Sequence, residues 1–184
     1  TPSSQPKIVD GGTLVSGGLE FDGVNDQLDF TGLAASDLSI FSVVDFDIVA
    51  SQQRILGASG GNSDGFGIAN ATTGFFRANG GTATQPLLNT TLSTSGNYLY
   101  AGTRGSNTLE FFTNGAASAT ATNSDVFNAD SIGGGTLPVD GSISEVIIYN
   151  SDQSDNRRAI ESDIASHYGI SGAANGYVST WYDQ

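Results

Sequence analysis

The feature that most limits the fold is a change of hydrophobic period between two adjacent segments in the last quarter of the chain. In the first segment, residues 141–150, apolar and polar side chains alternate, which predicts a half-buried to fully buried strand. The alternation separates two faces, with Ile143, Ile147 and Tyr149 on one, and Ser142, Ser144, Val146 and Ile148 on the other. Such a strand needs a second layer to pack against.

The second segment carries apolar residues at every fourth position and predicts a helix at about residues 154–168. The repeat consists of Ile160, Ile164 and Tyr168. Ser154 is suited to cap the first turn, and Gly169 is suited to the left-handed conformation that ends a helix. The rest of the chain consists of short strands and glycine-rich turns, so the two segments together predict a β-sandwich with one packed helix.

Short apolar runs separated by Gly, Asn and Ser continue along the chain and predict antiparallel strands. The longest covers residues 39–49, where Ile40, Val44, Phe46 and Ile48 share one face and Asp45 and Asp47 the other. Asn114-Gly115 predicts a two-residue hairpin turn into a strand at residues 116–122. We interpret residues 1–184 as a single domain with a surface lead-in at residues 1–18 and a terminal strand at residues 175–184, which one interpretation given below shares with a neighbouring subunit.

Charge and composition exclude several classes of partner. The formal net charge is −13, from 19 acidic and 6 basic residues, so the chain lacks the basic footprint that nucleic acids or anionic membranes require. No apolar run is long enough to insert into a membrane. Cysteine is absent, so stability rests on packing without disulfides. The chain opens at Thr1 rather than at Met, and we expect a processed or excised product.

Three segments in this order carry a family resemblance: residues 19–26 (LEFDGVND), residues 109–115 (LEFFTNG), and the strand and helix at residues 141–170. They resemble the laminin-G-like, concanavalin A-like lectin/glucanase superfamily, and most closely its jelly-roll domains in bacterial surface and phage virion proteins. The resemblance implies an all-β, two-sheet antiparallel jelly-roll sandwich with one helix in the carboxyl-terminal half. It also implies binding of glycans or proteins, in some members with a calcium ion at a sheet edge.

The last residues of the chain, 177–184 (YVSTWYDQ), resemble the strand that opens the jelly roll in related domains. Three interpretations stay open. The segment folds back into its own sandwich, or it pairs with a neighbouring subunit as an added strand, or it begins a further domain. We expect its contacts to come from four residues: Tyr177, Val178, Trp181 and Tyr182.

Catalytic chemistry is not expected. Asp45 and Asp47 share a strand face, as the two carboxylates of a retaining glycosidase would. The strand nevertheless lacks the Glu-x-Asp-x-x-Glu pattern of the retaining glucanases in the superfamily that this chain resembles. His167, the sole histidine, lies near the end of the predicted helix, where a positive charge is favourable in itself. We therefore predict a non-enzymatic protein.

One turn gathers oxygen ligands of the kind that Ca²⁺ prefers. The candidate metal ligands are Asp22, Asn25 and Asp26 in this turn, and Asp140 from the strand near residues 141–149. The same residue types are ordinary turn formers. Related domains often carry an acid just before the position of Glu145, where this chain has Ser144. We expect no required cofactor, with Ca²⁺ as the candidate ion.

Exposed aromatic rings beside hydrogen-bonding side chains are the usual platform for sugars. Phe75 and Phe76 must point in opposite directions in a strand, so we expect at least one ring to be exposed, with polar groups beside it. The candidate ligand-binding residues are Phe75, Phe76, Arg77, Asn79 and Arg104.

Together these observations favour a structural or adhesion module of a virion or bacterial surface assembly, with subunit contacts through its termini. The expected partners are copies of the chain itself in a homo-oligomer or filament, or other surface or virion proteins. The alternative is a carbohydrate-binding, lectin-like domain with Ca²⁺ as a candidate cofactor. A glycoside hydrolase is the least favoured hypothesis. The expected location is extracellular, on a cell surface or a virion.

Overall fold

The structure is a computed structural model that describes residues 5–7, 9–10, 13–14, 17–60, 64–78 and 91–172. Its strands and helix are β1 (Val9–Asp10), β2 (Thr13–Leu14), β3 (Leu19–Asp22), β4 (Leu28–Ala35), β5 (Leu38–Phe46), β6 (Gln53–Gly57), β7 (Gly65–Asn70), β8 (Thr73–Arg77), β9 (Tyr98–Gly105), β10 (Thr108–Thr113), β11 (Ala116–Thr122), β12 (Phe127–Ile132), β13 (Asp140–Tyr149) and α1 (Arg157–Tyr168).

Two antiparallel sheets stack face to face. The six-stranded sheet has the order β11-β10-β9-β5-β13-β3, and the five-stranded sheet has the order β4-β12-β6-β7-β8. β1 and β2 form a separate hairpin. The predicted fold class, a two-sheet antiparallel jelly-roll sandwich with one helix, is confirmed. The helix of the described residues is too short and too polar to cross a membrane.

Aromatic side chains from both sheets form the core between them. Phe66 packs its ring 5.6 Å from Phe76 and 5.1 Å from Phe111, and Phe76 packs 5.5 Å from Phe127. All four rings are fully buried. All three contacts are edge-to-face or tilted, and each adds about 0.5–1.5 kcal/mol beyond the burial of area.

A second, smaller core lies under the helix on the outer face of the six-stranded sheet. Its buried members are Phe41, Val43, Leu99, Ala101, Phe112, Ile164, Ala165 and Ile170. β5 is therefore covered on both faces, because its even-numbered residues pack between the sheets and its odd-numbered ones under the helix. Ile48, expected on the inner face, lies beyond the end of β5 and is 45% exposed.

The helix begins later than predicted. Asn156 is the residue before its first turn and makes no side-chain cap hydrogen bond, so the prediction of Ser154 as the cap is wrong. The carboxylate of Asp152 instead accepts a hydrogen bond from the backbone N–H of Ser154 at 2.9 Å, which holds that stretch in a turn. At the other end, Gly169 has φ = 67° as predicted.

A β-bulge in β13 changes which side chains share a face. Ile143 pairs with Val44 and Glu145 pairs with Val43, so Ser144 is an extra residue in the strand. Ile143 consequently packs between the sheets with Val146 and Ile148. The predicted grouping of Ile143 with Ile147 and Tyr149 is wrong, because strict alternation fails across a bulge; those two residues pack under the helix.

Candidate functional site

Glycines occupy neighbouring positions on the outer face of part of the five-stranded sheet. The bulky residues of β7 and β8, Phe66, Ile68 and Phe76, point into the core, so their neighbours point outward. Register places Gly57 opposite Gly65, and Gly67 opposite Phe75. A Cβ on Gly65 would lie 2.9 Å from the Phe75 ring and 3.2 Å from Arg54, so only glycine leaves room for these side chains.

Three side chains, Arg54, Phe75 and Arg77, cover these glycines, and we call this group the arginine face. Arg54 and Phe75 are fully buried. The Arg54 guanidinium donates to the backbone oxygen of Ala58 and, at 3.3 Å, to the hydroxyl of Thr136. Burial lowers the pKa of Arg54, and the nearby Arg77 lowers that pKa further, while Asp64 and Asp130 oppose the shift.

Arg77 is the accessible member of the arginine face. Its guanidinium lies 5.0 Å from the centre of the Phe75 ring, and its side chain is half-buried. Nε and Nη2 of Arg77 are buried and have no hydrogen-bond partner among the described residues. Burial lowers the pKa of Arg77, and Asp64 opposes this shift. The site therefore combines two neighbouring guanidinium groups, and two N–H donors of Arg77 lack an acceptor in the part of the chain that the structure describes.

The two acids near the arginines also bind other groups. Asp64 is 3% exposed and accepts hydrogen bonds from the backbone N–H of Asn128 at 3.2 Å and from its side-chain amide at 3.1 Å. Asp130 accepts from the backbone N–H of Ser59 at 2.6 Å and from its hydroxyl at 3.1 Å. These carboxylates thus connect β12 to the segments that flank β6 and β7.

The structure brings together only part of the predicted ligand-binding set. Phe75 and Phe76 are both fully buried, so the expectation that one ring is exposed is wrong. Phe76 packs in the core, and Phe75 lies beneath Arg77. Arg104 is fully buried and donates to the backbone oxygen of Asn123 at 2.9 Å. Asn79 lies outside the described residues.

Arg54 is the member of this site that the sequence did not reveal. Arg54 belongs to a short strand whose other residues are Gln53 and three apolar residues, and a single arginine in such a strand is ordinarily expected at the surface. The usable signal was the glycines at 57, 65 and 67, which recur on one face of adjacent strands. Glycine inside a strand often marks the close approach of another group.

The predicted calcium turn forms a compact group of aspartates. Asp22 accepts hydrogen bonds from the backbone N–H of Val24 at 2.9 Å and of Asn25 at 3.2 Å. Asp26 accepts from the backbone N–H of Asp22 at 3.0 Å. Burial raises the pKa of Asp26 and of Asp140, and the negative charge of Asp22 raises both further.

Within the part of the chain that the structure describes, no three acidic or histidine side chains are arranged to hold a metal. Among the predicted ligands, Asn25 donates its backbone N–H to the carboxylate of Asp22, and an N–H donor does not bind a cation. Binding of Ca²⁺ stays a prediction.

The predicted catalytic candidates lie apart from the arginine face. Asp45 accepts a hydrogen bond from the backbone N–H of Gly96 at 3.2 Å, whereas Asp47 follows the end of β5 and is exposed. His167 is exposed in the last turn of the helix, with its ring 4.7 Å from that of Tyr168. The predicted assembly residues Tyr177, Val178, Trp181 and Tyr182 lie outside the described residues.

Comparison with known proteins finds no matching family model and no matching curated protein. Solved structures do match. Domain 4 of an extracellular GH43 arabinanase from Geobacillus stearothermophilus, in complex with arabinotriose, aligns at a TM-score of 0.64 with 14% identity, over 83% of each chain. A heptameric SAP-like pentraxin from Limulus polyphemus aligns at 0.59 with 12% identity, over 73% of this chain and 76% of that one.

A third structure is the CBM40 module of the Ruminococcus gnavus IT-sialidase, bound to α2,3-sialyllactose. It aligns at a TM-score of 0.53 with 19% identity, over 74% of this chain and 93% of that chain. Identities this low establish the fold alone. The fold of this chain is that of the concanavalin A-like lectin/glucanase superfamily, as the resemblance in sequence predicted.

Proposed function

We propose that the protein is a non-catalytic carbohydrate-binding domain that binds the carboxylate of an acidic glycan at Arg77. The observation that carries the proposal is the half-buried Arg77 guanidinium beside Arg54, in which Nε and Nη2 have no acceptor among the described residues. An arginine fork matches a carboxylate in a bidentate geometry that lysine lacks. Hydrogen bonds to charged groups contribute about 1.5–3 kcal/mol each, so one such contact can dominate the affinity for a sugar.

Local electrostatics support an anionic ligand. Arg77 lowers the pKa of Arg54, which means that the two cations repel each other where they meet. An anion bound beside Arg77 would reduce that repulsion. The whole chain is strongly acidic, with a net charge of −13, whereas two of its six basic residues meet at the arginine face.

The comparisons support carbohydrate binding better than a structural role in a virion. Two of the matched structures carry oligosaccharides, arabinotriose in one and α2,3-sialyllactose in the other. The second is an acidic glycan, which agrees with the ligand class that Arg77 favours. We place the domain outside the cell or on its surface, where such ligands occur, and a virion location stays a prediction.

The proposal is tested by measuring binding to matched neutral and acidic oligosaccharides, such as lactose and sialyllactose or a neutral and a uronic acid polymer. We expect binding to the acidic member of each pair and at least a tenfold loss with Arg77→Ala. Arg77→Lys, which keeps the charge and loses the fork, is expected to recover only part of the affinity.

Arg158→Ala is the matched control, because it removes one exposed cation from the helix on the opposite sheet. Thermal unfolding of each variant shows that the sandwich is intact. Equal binding to neutral and acidic partners, or unchanged affinity in Arg77→Ala, would contradict the proposal. Repeating the assay with EDTA tests whether Ca²⁺ contributes.

A further inference from the structure

We infer that the groove between β13 and the helix binds a primary ammonium ion carried on a short hydrocarbon chain. The groove has a volume of about 360 Å³, which is within the usual range of small-molecule sites. The inference is independent of glycan binding, because β13 belongs to the six-stranded sheet and the arginine face to the other sheet. It concerns a ligand of the opposite charge.

The groove forms because the strand and the helix each turn one face towards it. Glu145, Ile147 and Tyr149 alternate along β13 and therefore project on the same side of the sheet. The lining residues of the helix follow one another at spacings of three and four, which places them on one helical face: Ile160, Asp163, Ile164, His167 and Tyr168. The core under the helix is built mainly on β5, β9 and β10, so the flank of the helix above β13 stays open.

The floor of the groove is apolar. Ile147 and Ile160 are half-buried and pack against the core under the helix, which also contains the buried Ile164. Tyr149 is half-buried and meets the Phe41 ring edge-on at 6.1 Å. These side chains leave part of their apolar surface in contact with water. A hydrocarbon chain lying along the floor would remove that surface from water, which is favourable.

Tyr168 links the helix to the strand at one end of the groove. Its hydroxyl donates to the backbone oxygen of Ser144 at 3.3 Å. Burial raises the pKa of Tyr168, and the negative charge of Glu145 raises that pKa further, so the hydroxyl stays neutral. The His167 ring lies 4.7 Å from the Tyr168 ring at an interplanar angle of 81°. Aromatic walls of this kind attract a cation to the faces of their rings.

The rim of the groove is negatively charged. Glu145 projects from the strand and Asp163 from the helix, so the groove has a carboxylate on each side. Among the described residues that line it, none is a lysine or an arginine. The groove also lies beside the last helical turn, which carries the negative end of the helix dipole. The neutral imidazole of His167 adds a nitrogen acceptor.

These features select a ligand that has two parts. Two carboxylates favour a cation that donates hydrogen bonds, and a primary ammonium offers three donors. A metal ion is less suitable, since no three acidic or histidine side chains in the described part of the chain are arranged to hold one. The apolar floor requires a hydrocarbon chain beside the charge. A ligand that lacked either part would leave one half of the groove without a complementary group.

His167 is the only histidine in the sequence, so its ring C–H signals identify it in a proton NMR spectrum without labelling. Hexylamine, hexanol and hexanoate are matched probes, because they join the same chain to an ammonium, a hydroxyl and a carboxylate. At constant pH we expect hexylamine to shift the His167 signals saturably, and hexanol to bind at least about tenfold more weakly. Hexanoate should cause no shift. Equal affinity for hexylamine and hexanol, or no saturable shift with hexylamine, would overturn the inference.

Two conservative variants test the carboxylates separately. Glu145→Gln and Asp163→Asn each remove one negative charge and keep the shape of the side chain, and we expect each to raise the dissociation constant of hexylamine about tenfold. Because Asp163 is exposed, its replacement does not disturb the core. Asp155→Asn is the matched control, since Asp155 is an exposed acid before the helix and outside the groove.

The control should bind hexylamine as the wild type does. Unchanged affinity in both groove variants would contradict the inference. An equal loss in Asp155→Asn would also contradict it, because diffuse attraction to an acidic protein would then account for the binding.

Discussion

The buried ion pair of the helix leads to a quantitative prediction about how the free energy of unfolding depends on pH. Glu161 is 1% exposed and binds Arg157, whose guanidinium lies 3.7 Å from the centre of the Phe112 ring and donates to the backbone oxygen of Gly115 at 3.5 Å. Burial raises the pKa of Glu161 from 4.5 to about 7, although Arg157 and, more weakly, Arg158 oppose the rise. The other carboxylate oxygen of Glu161 is buried without a hydrogen-bond partner in the described structure.

The sign of the effect follows from proton binding. A carboxyl group with a raised pKa in the folded state binds more protons there than in the unfolded chain between pH 4.5 and about 7. Its contribution to stability is therefore fully present below pH 4.5 and is lost as the pH rises through 7. A shift of about 2.5 units corresponds to about 3 kcal/mol at 1.36 kcal/mol per unit.

Urea unfolding of the wild type and of Glu161→Gln at pH 5, 6, 7 and 8 measures this contribution. The free energy of unfolding of the wild type should fall relative to that of the variant by up to about 3 kcal/mol across the range. Asp163→Asn is the control, because it makes the same chemical change at an exposed position of the same helix. Parallel pH profiles for the wild type and Glu161→Gln would refute the reasoning.

Three further predictions concern the core, the backbone and the aspartate turn. Phe66→Ala should lower the free energy of unfolding by about 3–5 kcal/mol in urea denaturation, because it leaves a cavity beside the rings of Phe76 and Phe111; a loss under 1 kcal/mol would contradict the packing. Gly169→Ala should cost about 1 kcal/mol in the same assay, since φ is 67° while the surrounding space is open; an unchanged midpoint would contradict the strained conformation. If the aspartate turn binds Ca²⁺, millimolar Ca²⁺ should raise the melting temperature, and Asp140→Asn should abolish the rise; a melting temperature insensitive to Ca²⁺ would remove the turn as a metal site.

Sequence patterns predicted the layers of this fold better than the details within them. Alternation and turn residues located the strands because a two-residue period reports which residues face a core. The bulge at Ser144 was missed because one inserted residue inverts the faces without changing the composition of the segment. The helix start was missed because serine and asparagine are both favoured before a first helical turn. The hydrogen bond from Ser154 to Asp152 holds Ser154 in a turn, so the helix begins after Asn156.

The site was harder to predict than the fold, because it depends on what covers each strand. Phe75 looked as suitable for exposure as any aromatic residue, and its burial depends on Arg77 above it and Gly65 beside it. Arg54 reaches this group from β6, across Gly57 and Gly65. Both arrangements depend on contacts between strands, and such contacts are not visible in the sequence of a single strand.

The helix explains which face of the sandwich remains for a ligand. It covers the outer face of the six-stranded sheet, so the outer face of the other sheet, which carries Arg77, is left for a glycan. A single guanidinium is a modest site for a sugar acid. Linked sites gain 10²–10⁴-fold in avidity without new contacts, provided that their geometry allows simultaneous binding. Several copies of the domain on one polymeric glycan would therefore bind it far more tightly than one copy does.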